Sequence, residues 1–282
     1  MSDARPLPIG RVVAAILSGS LLALFVLPIV ELFSVATPSG LLRAFEDPAV
    51  RLSIGFTLYA SGVALGVSLL LGVPLGYLLA RRSFRGRGVV ESVVGLPVVV
   101  PHLIAGLALL WLFSPLTPVG RLFIWAGVPV FGSFVGVVLV MTYVSASYTV
   151  LASQLAFSAV DPRLREAART LGASPSQTFS LVTLPLAVRG IVAGALLTWA
   201  RSVSEIGGFL VLAYTVYPGP GYSGPVTTPI SVFVYNLYLI GNLSETASVA
   251  AVFVLVAFGI FLTVRWVERT DRLPWPSGSL VR

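Results

Sequence analysis

Six long apolar runs constrain this chain more than any other feature. Each is long enough to cross the roughly 30 Å of hydrocarbon in a bilayer as an α-helix. They fall at about 12–34, 52–80, 89–113, 131–152, 187–214 and 245–266 of the 282 residues. Only 10% of the residues are charged and 56% are hydrophobic, whereas a soluble domain carries roughly 25% charged residues. The expected fold class is therefore an all-α polytopic membrane protein with six transmembrane helices. The first run is too long for the apolar core of a signal peptide, and no clean A-x-A site follows it, so it counts as a span.

Arginine sets the expected orientation. All 18 cations are arginine, and the formal net charge is +7. Fourteen lie on one side: Arg5 and Arg11 before the first span, Arg81, Arg82, Arg85 and Arg87 between the second and third, Arg163, Arg165, Arg169 and Arg189 between the fourth and fifth, and Arg265, Arg269, Arg272 and Arg282 at the end. The alternate loops hold only Arg43, Arg51 and Arg121, and Arg201 lies inside the fifth span. Positive-inside sorting explains this pattern better than nucleic-acid binding does, and it puts both termini in the cytoplasm.

The longest polar interval on that cytoplasmic side is Asp161–Pro185. Asp161 reads as a helix N-cap with Pro162 at the first helical position. Leu164, Ala167, Ala168 and Leu171 then recur on one face. Gly172 is the expected stop, at a turn that a side chain would crowd. Ser174, Pro175 and Gln177 form an S-x-x-Q capping box, and Pro185 is expected to close the second helix at Leu184. The reading is two short helices at an angle between two spans.

This stretch resembles a known motif. Glu166-Ala167-Ala168, then Gly172, then Val182-Thr183-Leu184-Pro185 is similar to the EAA motif of ABC-importer transmembrane subunits, with Val182 where the pattern usually has Ile. The resemblance implies that Glu166, Ala167, Ala168, Gly172, Leu184 and Pro185 couple the spans to an ATPase through a cytoplasmic coupling helix. It also implies a single transmembrane domain over 1–282, with its core at about 50–266. The implied partners are two cytoplasmic ABC ATPases, which carry the ATP and Mg, a second permease subunit as in a homodimer, and an extracytoplasmic solute-binding protein, all at the cell membrane.

Four features of the spans stand out. Gly62-x-x-x-Gly66 and Gly72-x-x-x-Gly76 in the second span allow close helix approach. Pro97 and Pro101 each remove a backbone donor from the third span and kink it; freed groups at membrane depth need protein or water as partners. His102 follows, either a hydrogen-bonded structural residue or a substrate contact. In the fifth span Arg201 and Glu205 are four apart on one helix face, where intramembrane charges usually turn inward and pair. That pair is either a structural ion pair or a guide for an anion.

Two of these segments share a further resemblance. Leu96-Pro97-Val98-Val99-Val100-Pro101 with Ala105-Gly106-Leu107, and Ala200-Arg201-Ser202-Val203-Ser204-Glu205-Ile206-Gly207, resemble segments of the molybdate, tungstate and sulfate permeases. His102, Ser204 and Ile206 depart from that pattern. The resemblance implies an oxyanion as substrate, molybdate or tungstate first and sulfate as the alternative. It makes Pro97, Pro101, His102, Arg201, Glu205 and Gly207 candidates for the pathway or gate. The outer loop from Thr215 to Ser244, rich in Pro and Gly, reads as a docking surface for the binding protein or as a connector.

The sequence has no P-loop, no cysteine and a single histidine. It is not expected to be an enzyme or to bind a cofactor or metal itself; ATP hydrolysis falls to a partner. A stand-alone secondary transporter or channel is the rival class, but it would normally need several intramembrane ionisable sites.

The arginine asymmetry yields a topology test, and the absence of native cysteine makes it clean. Ser83→Cys and Ser176→Cys should react with an impermeant maleimide only from the cytoplasmic side, and Ser223→Cys only from outside. Labelling of Ser176→Cys from outside overturns the orientation.

Overall fold

The computed structural model describes residues 9–217, 219 and 224–269. These residues are helical throughout, apart from loops and two isolated β-bridges. Four of the crossings are α1 (Ile9–Val35), α3 (Pro48–Arg81), α7 (Phe134–Ser158) and α13 (Leu243–Arg269). A fifth runs unbroken from Pro175 to Val203. The sixth is a bent pair, α4 (Arg87–Val99) and α5 (His102–Leu112), whose axes differ by 114°. Six crossings therefore match the six apolar runs when the bent pair counts as one. Ser223 lies outside the described residues.

Helix starts follow local chemistry. Asp47 caps α3 by accepting the Ala49 N–H at 2.7 Å, with Pro48 at the first position. Ser133 caps α7 in the same way through Gly136. Two short amphipathic helices, α2 (Pro38–Glu46) and α6 (Pro118–Trp125), lie outside the crossings.

The core is a three-helix contact among α3, α7 and the Pro175–Val203 rod. Gly72 and Gly76 sit where α3 meets α7. A Cβ on Gly76 would stand 2.7 Å from the Ser153 Cβ, and one on Gly72 would stand 2.9 Å from a Thr149 methyl. An added Cβ on Gly62 or Gly66 meets nothing within 4 Å, so only half of the small-residue pattern is used within the subunit. Polar pairs reinforce the contact. The Thr149 and Thr198 hydroxyls lie 2.7 Å apart, and Trp199 Nε1 donates to Ser61 Oγ. The buried hydroxyls of Thr57 and Ser145 turn back onto carbonyls four residues earlier, which satisfies them without water. By contrast α1 is exposed along almost its full length and packs mainly on α13.

Three expectations need correction. Pro185 does not close a helix. A π-helical turn, Phe179–Thr183, joins α9 (Pro175–Thr178) to α10 (Leu184–Val203). Pro185 stands in the first turn of α10, where its missing N–H costs nothing. The wider turn is completed by the Leu184 N–H on the Phe179 carbonyl and by the Thr183 hydroxyl on the Thr178 carbonyl at 3.2 Å.

The fifth span does not run as one helix to residue 214. It stops at Val203, and a six-residue helix, α11 (Gly207–Leu212), follows after a break. The third correction concerns the outer loop, Thr215–Ser244, which is not wholly loop. Within it α12 (Ile230–Leu239) packs on α3 and α13, with Ile230 and Val232 fully buried.

The two glycine pairs can be told apart by stability. Gly76→Leu should destabilise the solubilised subunit by about 1–3 kcal/mol through overpacking, while Gly62→Leu should leave its melting temperature close to wild type. Equal melting curves for the two variants would contradict the α3–α7 contact.

Candidate functional site

The Asp161–Pro185 loop is built as its local signals require. Asp161 Oδ1 accepts the Arg163 N–H at 2.9 Å at the start of α8 (Pro162–Thr170). The helix ends in a paired turn: Gly172 N–H on the Arg169 carbonyl and Ala173 N–H on the Ala168 carbonyl. Gly172 has φ +89°, and an added Cβ would meet nothing within 4 Å. Left-handed backbone geometry, rather than crowding, is thus what asks for glycine there. The capping box forms in both directions, Ser174 N–H to Gln177 Oε1 at 2.8 Å and Gln177 N–H to Ser174 Oγ at 3.3 Å.

The loop is seated by Phe179, whose ring meets Tyr77 of α3 at 4.9 Å and Phe157 of α7 at 6.2 Å. Leu164 and Leu171 of the expected apolar face are 48% and 88% exposed. Glu166 and Ala167 are exposed beside them. Leu184 and Pro185 are half-buried at the base of α10.

The second constellation lies where two broken crossings meet. Pro97 stays inside α4, and Ser147 of α7 donates to the neighbouring Val94 carbonyl at 2.6 Å. The break falls at Pro101, which becomes the N-cap of α5. Opposite it, the chain breaks over Ser204–Ile206 before Gly207-Gly208 opens α11. The two breaks pack closely. A Cβ on Gly106 would stand 2.7 Å from the Gly208 Cα, and one on Gly207 would stand 2.8 Å from the His102 Cβ.

Three side chains fill the junction. Arg201 Nη2 donates to Glu205 Oε2 at 2.7 Å and also to His102 Nε2. Glu205 is fully buried, and its Oε1 accepts the Gly208 N–H at 2.7 Å. Its Oε2 lies 3.7 Å from His102 Nδ1. The carboxylate therefore caps α11 from beyond the end of α10. This explains why the Arg201–Glu205 contact survives although the two do not share a continuous helix.

Two more hydrogen bonds fix where the junction sits along α3 and α12. Ser231 Oγ donates to the Glu205 carbonyl, and the adjacent Ile230 N–H donates to Thr57 Oγ1. Thr57 is nine residues into α3, which puts it ~14 Å inside the N-terminal end of that helix at 1.5 Å per residue. The expected residues Pro101, His102, Arg201, Glu205 and Gly207 are thus brought together, while Pro97 stays apart in α4. Sequence reasoning missed Ser231 and Thr57, which tie the junction to α12 and α3 through partners distant in sequence that no local signal marks. It also missed Gly208, whose N–H is held by Glu205 three residues earlier and whose backbone packs on Gly106 of α5.

The profile of the family described as "Binding-protein-dependent transport system inner membrane component" matches residues 72–273, well over half of the chain. The chain belongs to that family. It is the permease subunit of an ABC importer.

Similar proteins agree along most of its length. The permease is 33% identical over 253 residues to a molybdate/tungstate transport system permease protein of Pyrococcus abyssi, covering 88% of this chain and 92% of that one. It is 37% identical over 254 residues to a probable molybdenum ABC transporter permease protein of Haloferax volcanii, covering 90% and 89%. It is 32% identical over 228 residues to a molybdenum transport system permease protein of Escherichia coli, covering 80% and 95%. Among solved structures, a bacterial alginate ABC transporter matches with a TM-score of 0.71 at 21% identity, over 92% of this chain and 94% of that one. At that identity the likeness concerns the fold alone.

Proposed function

We propose that this permease carries a tetrahedral oxyanion, molybdate or tungstate, into the cell, with sulfate as the alternative. The observation that carries the substrate class is the similarity, over 80–90% of the chain, to permeases named for molybdate, tungstate or molybdenum. The junction is consistent with it. Arg201 lies within the fifth apolar run and is held at the junction by Glu205, and a guanidinium suits oxyanion oxygens.

In this reading two such subunits form the pathway. The N-terminus and the α8 loop face the cytoplasm, and two ATPases with ATP and Mg dock against α8. The exposed Leu164 and Leu171 supply an apolar docking face on a helix that the subunit itself leaves uncovered. A binding protein delivers the ion from outside, and closure of the ATPases moves α8, which reorients the spans between outward-facing and inward-facing states.

The substrate class is tested by reconstituting the complex with its binding protein and measuring ATPase stimulation. Molybdate and tungstate should stimulate it most strongly. Stimulation by a sugar or a cationic solute, with none from molybdate, tungstate or sulfate, would sink the oxyanion reading.

The coupling role has its own test. Gly172→Leu forces a left-handed backbone on a residue that resists it by about 1–2 kcal/mol, and Glu166→Lys inverts a charge on the docking face. Both should abolish ATP-driven uptake while the folded subunit still inserts in the membrane. Uptake at the wild-type rate in both would show that α8 does not couple.

A further inference from the structure

We infer that Glu205 sets how tightly Arg201 holds the passing ion: its buried carboxylate partly neutralises the guanidinium, so that a dianion is recognised at the junction but not retained there. This inference rests on the oxyanion reading above.

The geometry divides the junction into a face and a base. On the face, the His102 side chain is 41% exposed and Ser204 is exposed; between apolar spans, such a polar surface faces the bundle interior or a water-filled cavity rather than lipid. Arg201 reaches that face. Its side chain is 14% exposed, and its Nη1 lies 3.3 Å from Ser204 Oγ. Glu205 forms the base. It has no exposed surface, and both its oxygens are already engaged by Arg201 and by the Gly208 N–H. The carboxylate therefore cannot meet the ion itself and acts on it only through the charge it opposes on Arg201.

An unopposed guanidinium in a low-dielectric site would bind a dianion strongly. A translocation pathway needs the reverse, attraction sufficient for entry and weak enough for release. Glu205 is in this sense a positioning residue with an electrostatic task, which the capping of α11 alone does not require.

The test is equilibrium binding of radiolabelled tungstate to the whole complex in nanodiscs without the binding protein, together with the uptake rate at saturating loaded binding protein. Glu205→Gln keeps the volume and an acceptor for Gly208, and should bind tungstate about tenfold tighter while the saturated uptake rate falls. Ser204→Asp places a second carboxylate beside Arg201 Nη1 on the exposed face, and should weaken binding by about the same factor. Arg201→Gln should lose binding. A purely structural ion pair predicts no rise in affinity for Glu205→Gln. Unchanged or weaker binding by that variant overturns the inference. Should the Glu205→Gln complex fail to assemble, unchanged affinity in Ser204→Asp overturns it. The two readings fail separately. Absence of oxyanion-stimulated ATPase activity in the wild type defeats the substrate class, whereas stimulation with unmoved tungstate affinity in these variants defeats only the role of Glu205.

Discussion

Hydrocarbon supplies no hydrogen bonds, and that lack governs the breaks within the crossings of this protein. Where the crossings are regular helices, the backbone satisfies itself. Where they are not, a side chain or an altered ladder stands in. The Thr183 hydroxyl and the Leu184 N–H close the π turn before Pro185. The Glu205 carboxylate takes the Gly208 N–H at the start of α11, and Ser231 takes the Glu205 carbonyl. A charged residue at membrane depth is costly when it serves no backbone group and finds no partner. Here Glu205 does both, and this is what allows a break and a charge to coexist there.

What could be read from the sequence divides along the same line. The α8 loop was legible almost residue by residue, because its caps, glycine stop and capping box are local signals whose partners lie within five residues. The number of crossings followed from apolar length. Spacing alone could not separate Gly72 and Gly76, which pack on α7, from Gly62 and Gly66, where an added Cβ would meet nothing within 4 Å among the described residues. Pro185 was misread because proline is compatible with a first helical turn, and the π turn puts it in one. Arg201 and Glu205 were found as a pair, but the break between them was not, since apolar residues continue on both sides. His102 lies 99 positions from Arg201, and no periodicity could join them.

The family match and the junction carry different kinds of information. The first rests on a long alignment, which fixes the class of machine and says little about any one side chain. The second is a local arrangement of four groups, which says nothing about ATP. They meet in the rod from Pro175 to Val203, because the same helix begins in the loop that carries α8 and holds Arg201 in its last turn.

That continuity makes the rod a lever. Its base is gripped by the Phe179 ring against Tyr77 and Phe157, and Arg201 stands ~39 Å along it at 1.5 Å per residue. A tilt of ~5° about that grip, shared by α7 and α3 because Thr198 and Trp199 tie the rod to them, sweeps Arg201 sideways by ~3 Å at this rise per residue. This is about the length of a hydrogen bond and enough to break one, and His102 sits on a different helix, α5. Under the coupling proposed above, a small rocking of the loop would be amplified into the making or breaking of one contact between the two broken crossings. The unbroken helix would then turn an angular signal at its base into a nearly all-or-none event at its far end.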